Sequence, residues 1–380
     1  MNEELSSRER VRLTLEHKQT DRIPIDLGGS DVTTITSAPY ERLKSLVGIQ
    51  LPTKIFARRF QSVFVDAEVQ QIFHCDLRPI PYRASRKAKT NPSTEMSFID
   101  EWGVSYRRPV DGLYYDIVEY PLAHATIGDL ERYDWPDPDD PDRVEGVAEE
   151  ARYWFEHSQF ALLGPGSSCS LFEQCWYLRG FEQFLVDLMI NKEFAHALMR
   201  KVLDVRLKMY GNYLEQAGRY LDLVYVADDI SMQTGPIMSP ATYREMIKPY
   251  QKEYFQFIKN KSQAKLFYHC CGNVKPFLED LIEIGIDVLN PVQVTATGMD
   301  PAELKRVYGD RLVFWGGIDT QQLLPKGSPA EVRQETRRII DIMAQGGGYV
   351  LSAVHNIQAD TAAENIVAML NAAFEYGGWR

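Results

Sequence analysis

Residues 267 to 274 read FYHCCGNV and place a histidine and two cysteines side by side, at the end of an apolar run and before a Gly-Asn turn. In an extended segment the side chains at i and i+2 share a face, so His269 and Cys271 can look into one site while Cys270 faces the wall. Such a pair is half of a metal site, since a catalytic zinc commonly takes three protein ligands and keeps one position open. His355, in the segment LSAVHN, is the candidate third ligand, and Asp228 or Asp229 could add an oxygen. Each residue also has a plainer reading. Buried cysteines usually act as small hydrophobes, Asp228-Asp229 could cap the turn that follows, and His355 could be a hydrogen-bonded loop histidine. Phe172, Trp176 and Tyr177 stand at helical spacing, which by default makes them core. Histidines 17, 74, 124, 157 and 196 fall in helix-like or connecting segments and receive no role.

The elements that must position these residues follow a regular rhythm from residue 158 onward. Short apolar strands, each followed by a polar turn and an amphipathic helix, are expected at 160–164, 221–227, 264–269, 286–290, 311–317 and 348–354. With IPID near residue 25 and CDLRPI at 75–80 the count is about eight, as a closed (β/α)8 TIM-type barrel needs. An open doubly wound sheet is the alternative, but no glycine-rich phosphate fingerprint follows the first strand. The polar residues cluster just after the strands: Asp26, the GPGSS turn, Asp228-Asp229, His269-Cys271, Asn290 with Gln293, Gly317 with Asp319, and His355-Asn356. That is the C-terminal face, where barrel enzymes do their chemistry.

The whole chain reads as one barrel domain. Residues 1–157 hold N-terminal helices, the first strands and an inserted antiparallel hairpin over 97–122, and residues 158–380 hold the regular repeats. Ser6 or Ser7 is expected to cap a first helix, and residues 30–90 read as helices around one short strand. Ser239-Pro240 is expected to open the longest helix, kinked at Pro249. WPDPDDPDR at 135–143 reads as a surface connection.

At 380 residues, 44% hydrophobic and 25% charged, the chain has globular proportions. Its net charge of -11, from 42 basic and 53 acidic residues, opposes non-specific nucleic-acid binding. No stretch approaches the apolar length of a membrane span and the N-terminus has no signal-like core, so a cytoplasmic location is expected. Five irregularly spaced cysteines, 75, 169, 175, 270 and 271, do not look like a disulfide framework.

The sequence resembles the uroporphyrinogen decarboxylase superfamily from SSRERVRLTLEHKQTDRIPIDLGG through YVADDISMQTGPIMSPATYREMIKPY and FYHCCGNVKPFLEDLIEIGIDVLNPVQ to VLSAVHNIQADTAAENIVAML. That resemblance implies a (β/α)8 barrel with N-terminal helical additions, and either a porphyrinogen decarboxylase or a cobalamin-dependent methyltransferase. The porphyrinogen branch has arginines in a segment resembling RQAGR, where this chain has DLGGSD. In the methyltransferase branch His-x-Cys and a late Cys hold zinc. Here His269-x-Cys271 matches and His355 replaces the late Cys.

The resemblance therefore implies a zinc-dependent methyltransferase that takes a methyl group from a methoxylated aromatic or other methylated small molecule, in the manner of O-demethylase systems. Zinc is expected on His269, Cys271 and His355. Asp229, Asp228 and His355 are the candidate catalytic groups, and Asp26, Trp176, Tyr177, Asn290 and Gln293 the candidate substrate contacts. The cobalamin is expected on a partner, a corrinoid-binding protein, because the chain has no DxHxxG-like motif. A homodimer is the candidate assembly, with no nucleic acid and no membrane. The competing readings are a metal-independent decarboxylase of a small carboxylic acid, with His355 and an Asp protonating the carbanion, and a non-catalytic barrel that binds a tetrapyrrole or a corrinoid protein.

Overall fold

The computed structural model describes residues 4–110, 112–166 and 170–378. Ser167, Ser168 and Cys169, which complete the expected GPGSS turn and the cysteine set, lie outside the described residues. Chain order begins with the helix Ser7–Leu15, whose N-cap is Ser6 in a reciprocal capping box with Glu9. Helices Ser37–Leu46 and Ala67–Ile72 flank an antiparallel pair that the sequence reading missed, β1 (Lys54–Ala57) and β2 (Ser62–Phe64). Its turn carries Arg58, Arg59 and Phe60, and the polar run hides the apolar alternation on either side.

β3 (Leu77–Pro79) is the first regular barrel strand. The inserted hairpin proves to be a three-stranded antiparallel meander of β4 (Ser97–Ile99), β5 (Ser105–Arg107) and β6 (Asp116–Glu119). β7 (Ala161–Gly164) and β8 (Leu223–Ala227) follow, then a tight hairpin of β9 (Ser231–Met232) and β10 (Gly235–Pro236), and then β11 (Lys265–His269), β12 (Val288–Val292), β13 (Val313–Ile318) and β14 (Tyr349–Ala353). The barrel sheet runs β14-β13-β12-β11-β8-β7-β3, all parallel.

Seven of the expected strands are regular, and the eighth, around Ile25, is an irregular stave. It bridges Leu351 of β14 in parallel, with Asp26 N donating to Leu351 O and Leu351 N to Pro24 O. On its other side Asp76 N donates to Ile25 O at 2.8 Å. Proline at position 24 removes a donor and a bend follows at once, so the segment closes the barrel without forming a ladder.

The inside of the barrel is filled by Leu77, Leu163, Tyr225, Phe267, Val288, Trp315 and Val350. Val11 and Leu15 of the first helix join the same cluster, so that helix plugs the N-terminal end. Its Arg10 pairs with Asp76 at 2.6 Å, and Arg22 pairs with the other oxygen of Asp76 at 2.7 Å. All three side chains are buried or nearly so, so removing any one would strand an uncompensated charge.

The longest helix is Lys192–Ala217, at 26 residues, and not the one that Ser239-Pro240 opens. Ser239 does cap a helical turn, with its hydroxyl accepting from Thr242 N. The helix then passes through a π turn over Tyr243–Ile247 before continuing as Lys248–Lys261. Wider winding there accommodates Pro249, which has no N–H to offer a preceding carbonyl. Among the described residues, no helix is long and apolar enough to cross a membrane, and Cys75, Cys270 and Cys271 are free thiols.

Candidate metal and substrate site

Strand register builds the centre of the site. His269 ends β11 and is paired with Asn290 of β12 on one side and Ala227 of β8 on the other. The Asn290 amide oxygen can only accept, so it takes the Nδ1–H of His269 at 2.5 Å and leaves the lone pair on Nε2. Cys271 Sγ lies 3.4 Å from that Nε2. Gly272 turns the chain away with φ +83, where an added Cβ would fall 2.5 Å from the Met232 carbonyl. Cys270 points the other way and is fully buried.

His355 comes from two residues past β14. Its ring sits 5.6 Å from that of His269, nearly perpendicular, and ligand atoms of His269, Cys271 and His355 all lie within 4.8 Å of one another. Two nitrogens and one sulfur at this spacing suit zinc. His269 and Cys271 present lone pairs as they stand. His355 Nδ1 accepts the Asn356 backbone N–H at 2.8 Å, so its proton is on Nε2, and ligation would need a change of tautomer or a ring rotation that frees a nitrogen.

Burial drives the titration of all three. The Cys271 thiol is pushed well above its ordinary value by burial and then by Asp229, which keeps it a thiol until a cation draws the proton off. Burial lowers His269, partly offset by Asp229, and pushes His355 down to about 3, with His269 adding to the effect. Both imidazoles are thus neutral, the form that binds metal.

The aspartates separate into different roles. Asp228 is buried, and its Oδ1 accepts the backbone N–H groups of Leu171 and Glu173 while Oδ2 accepts Gln251 Nε2. It caps the start of the helix Phe172–Arg179, which precedes it in the chain, and not the turn that follows it. Asp229 Oδ1 accepts Cys271 N at 2.6 Å, placing a carboxylate directly behind the thiol. Asp26 is also saturated, accepting Trp315 Nε1 at 2.9 Å and Gly29 N at 2.7 Å, and burial pushes it up to about 6.

Glu173 escaped the sequence reading. It is buried, accepts the Tyr177 hydroxyl at 2.8 Å and the Asp229 backbone N–H at 3.1 Å, and is raised well above its ordinary value by burial, Asp229 and Asp228. An acid at the fourth position of SLFEQCWYL, a largely apolar helix start, was the available signal: a helix apolar all round is buried, and a buried acid needs partners.

A cavity of about 440 Å³ opens over the site, with Phe60, Tyr114, Cys271, Gln293 and His355 among its walls. Gln293 holds Gly272 N through Oε1 at 2.7 Å, and Phe60 meets the His355 ring edge-on at 6.1 Å. A second cavity of about 510 Å³ lies beyond the β1–β2 turn and includes Asp31, Arg59 and Tyr177. Of the expected aromatic wall, Tyr177 lines this second cavity, whereas Trp176 packs on Tyr177 and Phe181 and lines neither.

Residues 116–376 match the family model described as uroporphyrinogen decarboxylase (URO-D). The chain belongs to the uroporphyrinogen decarboxylase family. Within that family, the uroporphyrinogen decarboxylase of Chlorobium phaeovibrioides is 27% identical over 182 residues, covering 46% of this chain and 47% of its own length. That of Chromohalobacter salexigens is 23% identical over 283 residues, covering 70% and 74%. The match thus spans about half of the first relative and about three quarters of the second. Among solved structures, a methyltransferase from Methanosarcina mazei superposes with a TM-score of 0.65 at 16% identity, over 98% of this chain and 99% of that one. At that identity the likeness shows the shared barrel fold.

Proposed function

We propose that this member of the uroporphyrinogen decarboxylase family is a zinc-dependent methyltransferase that moves a methyl group from a methoxylated aromatic or other methylated small molecule to a corrinoid carried by a partner protein. The observation that supports it most is the meeting of His269, Cys271 and His355 within 4.8 Å at the barrel mouth, with Asn290 fixing the His269 tautomer. Bound there, zinc would act as a Lewis acid on the oxygen that leaves when the methyl group departs. A neutral imidazole in place of a second thiolate leaves the cation more electrophilic, which favours an ether oxygen over a thiol.

The chain's own residues do the rest. Asp229 accepts the Cys271 backbone N–H, and it is the proton donor or additional oxygen ligand in this reading. Gln293 fixes the Gly272 turn, and Phe60 and Tyr114 give the cavity an apolar side against which a ring can stack. Asp26 and Asp228 hold their neighbours, each carboxylate oxygen already accepting at least one hydrogen bond.

A second reading, a metal-independent decarboxylase of a small acid, draws support from His355 itself. With Nδ1 accepting from Asn356, its Nε2–H is a hydrogen-bond donor. One experiment separates the two. Purified protein is assayed for zinc and for methylation of a reduced corrinoid protein with methoxylated aromatics as donors. About one zinc per chain together with methyl transfer supports the first reading, and turnover without metal supports the second.

A further inference from the structure

Asp31 stands out among the buried acids because one of its carboxylate oxygens has no partner. It is 2% exposed, and its Oδ1 is buried with no hydrogen-bond partner among the described residues. Every other buried acid near the barrel mouth is engaged: Asp26 by Trp315 and Gly29, Asp228 by Gln251 and two backbone amides, Glu173 by Tyr177 and Asp229 N. Leaving a carboxylate oxygen unpaired away from water is unfavourable, and such groups call for an explanation.

The surroundings of Asp31 say what kind of partner is missing. Its carboxylate faces the cavity of about 510 Å³, across from Gly166, where an added Cβ would lie 3.4 Å from Oδ1. The backbone is pinned, since Asp31 O accepts Asn356 Nδ2 at 2.9 Å, and Asn356 follows His355 in the chain. On the barrel side stands Tyr225, whose buried hydroxyl also lacks a partner and for which Asp31 is the leading charged influence. The Tyr225 ring is 6.4 Å from that of His269. The Asp31 carboxylate oxygen on this cavity and the Tyr225 hydroxyl on the barrel side are therefore both unsatisfied.

The cavity walls are aromatic, with Phe56, Phe64, Tyr106 and Tyr177 among them, and carry five arginines against three acids, Asp31 included. A cationic ligand would meet that excess of positive charge. A neutral or anionic aromatic ring would not, and a hydroxyl on it would give Asp31 the donor it lacks.

We propose that Asp31 is a specificity-determining residue that accepts a hydrogen bond from a ring hydroxyl, so that the methyl donor is a hydroxylated methoxyarene. This rests on the methyltransferase reading for the word donor, but the recognition itself does not depend on turnover. A site built to accept from a hydroxyl discriminates strongly against the ring that lacks it, because the buried acceptor is then left bare.

The test is calorimetric, with zinc-loaded full-length protein and no corrinoid partner. The probes are 2-, 3- and 4-methoxyphenol and methoxybenzene. The wild type should bind at least one methoxyphenol on the order of 10-fold or more tightly than methoxybenzene. Asp31→Leu should bring that ratio close to unity while leaving methoxybenzene affinity within about 3-fold. Asp31→Asn keeps an acceptor oxygen and should lie between the two, and it carries the test if the Leu variant does not fold. Equal ratios in wild type and in the folded variants, or no preference in the wild type, would overturn the proposal. A preference that vanishes in the variants, with no methyl transfer to any corrinoid, would uphold Asp31 and sink only the methyltransferase reading.

Discussion

The Nδ1 of His269 and the Oδ1 of Asn290 are 2.5 Å apart, joined across two strands in which they are register partners. This bond orients the imidazole and settles which nitrogen is free, and it places Nε2 beside the Cys271 sulfur. A supporting residue of this kind governs affinity through the ligand it holds.

Asn290→Ala should therefore weaken zinc binding by about 10- to 100-fold with the barrel intact. Competition against a chromophoric chelator measures the affinity, and circular dichroism checks the fold. Unchanged affinity would mean that the tautomer is fixed some other way.

Cys271→Ala should lose most of the zinc, and Cys270→Ala should keep it. Only Cys271 reaches His269, whereas Cys270 is fully buried on the opposite face. Metal analysis of the two purified variants decides, and equal loss in both would rule out this geometry.

His355→Ala should lower both zinc affinity and methyl transfer, since two ligands hold zinc poorly. His355→Cys should retain the metal and slow transfer from an ether. If His355→Ala keeps its full zinc and only the rate falls, the Nε2–H acts as an acid or donor, in line with the bond that Asn356 makes to Nδ1.

Asp31 also fixes a stability profile. Burial pushes it up to about 7 from an ordinary 3.8. Because the folded value is the higher one, the native state holds the proton where the unfolded chain has released it, so stability falls as pH rises from about 4 to about 7 and levels off above. Asp31→Asn has no such proton to lose. It should match the wild type near pH 4 and exceed it near pH 8, by at most about 4 kcal/mol for a shift of about three units. Denaturant melts at the two pH values measure this, and parallel curves would mean that Asp31 is ionised without penalty.

Uroporphyrinogen should give no detectable coproporphyrinogen. Arg83 and Arg143 of the larger cavity are already paired with Glu150 and Glu101, and Asp26 and Asp31 stand in the DLGGSD segment, so the substrate carboxylates that reach that segment would meet buried acid where they need cations. Any clear turnover would move the chain to the decarboxylase reading.

Much of the barrel was legible because parallel strands buried on both faces read as apolar runs, and each run ended in the polar residues that the sheet brings together. His269, Cys271 and His355 were found that way. The stave at Ile25 looked like a strand because apolar pattern cannot report a missing ladder. Asp228 and Asp229 are adjacent and looked interchangeable, but one step along the backbone sends the first toward the helix Phe172–Arg179 and the second toward Cys271. Glu173 and Asp31 were hidden for another reason: their significance lies in partners, or the lack of them, more than 50 residues away or absent from the chain's own bonding. Phe60 reaches His355 from a hairpin that the sequence did not announce.

The closure of the barrel at Ile25 bears on how the chain is made. A ribosome delivers the stave first, its partner Leu351 emerges more than 300 residues later, and the partner in the neighbouring contact from Ile23 N to Gly377 O later still. At roughly 5–20 residues per second that interval is roughly 15–65 s. Asp76, by contrast, follows Ile25 by only 51 residues, and Arg10, Arg22 and the Ile25 backbone can gather on it. The nascent protein would thus carry a half-satisfied seam through that interval, exposed to holdase chaperones on one edge, and would become a sealed barrel only when Leu351 is released from the exit tunnel.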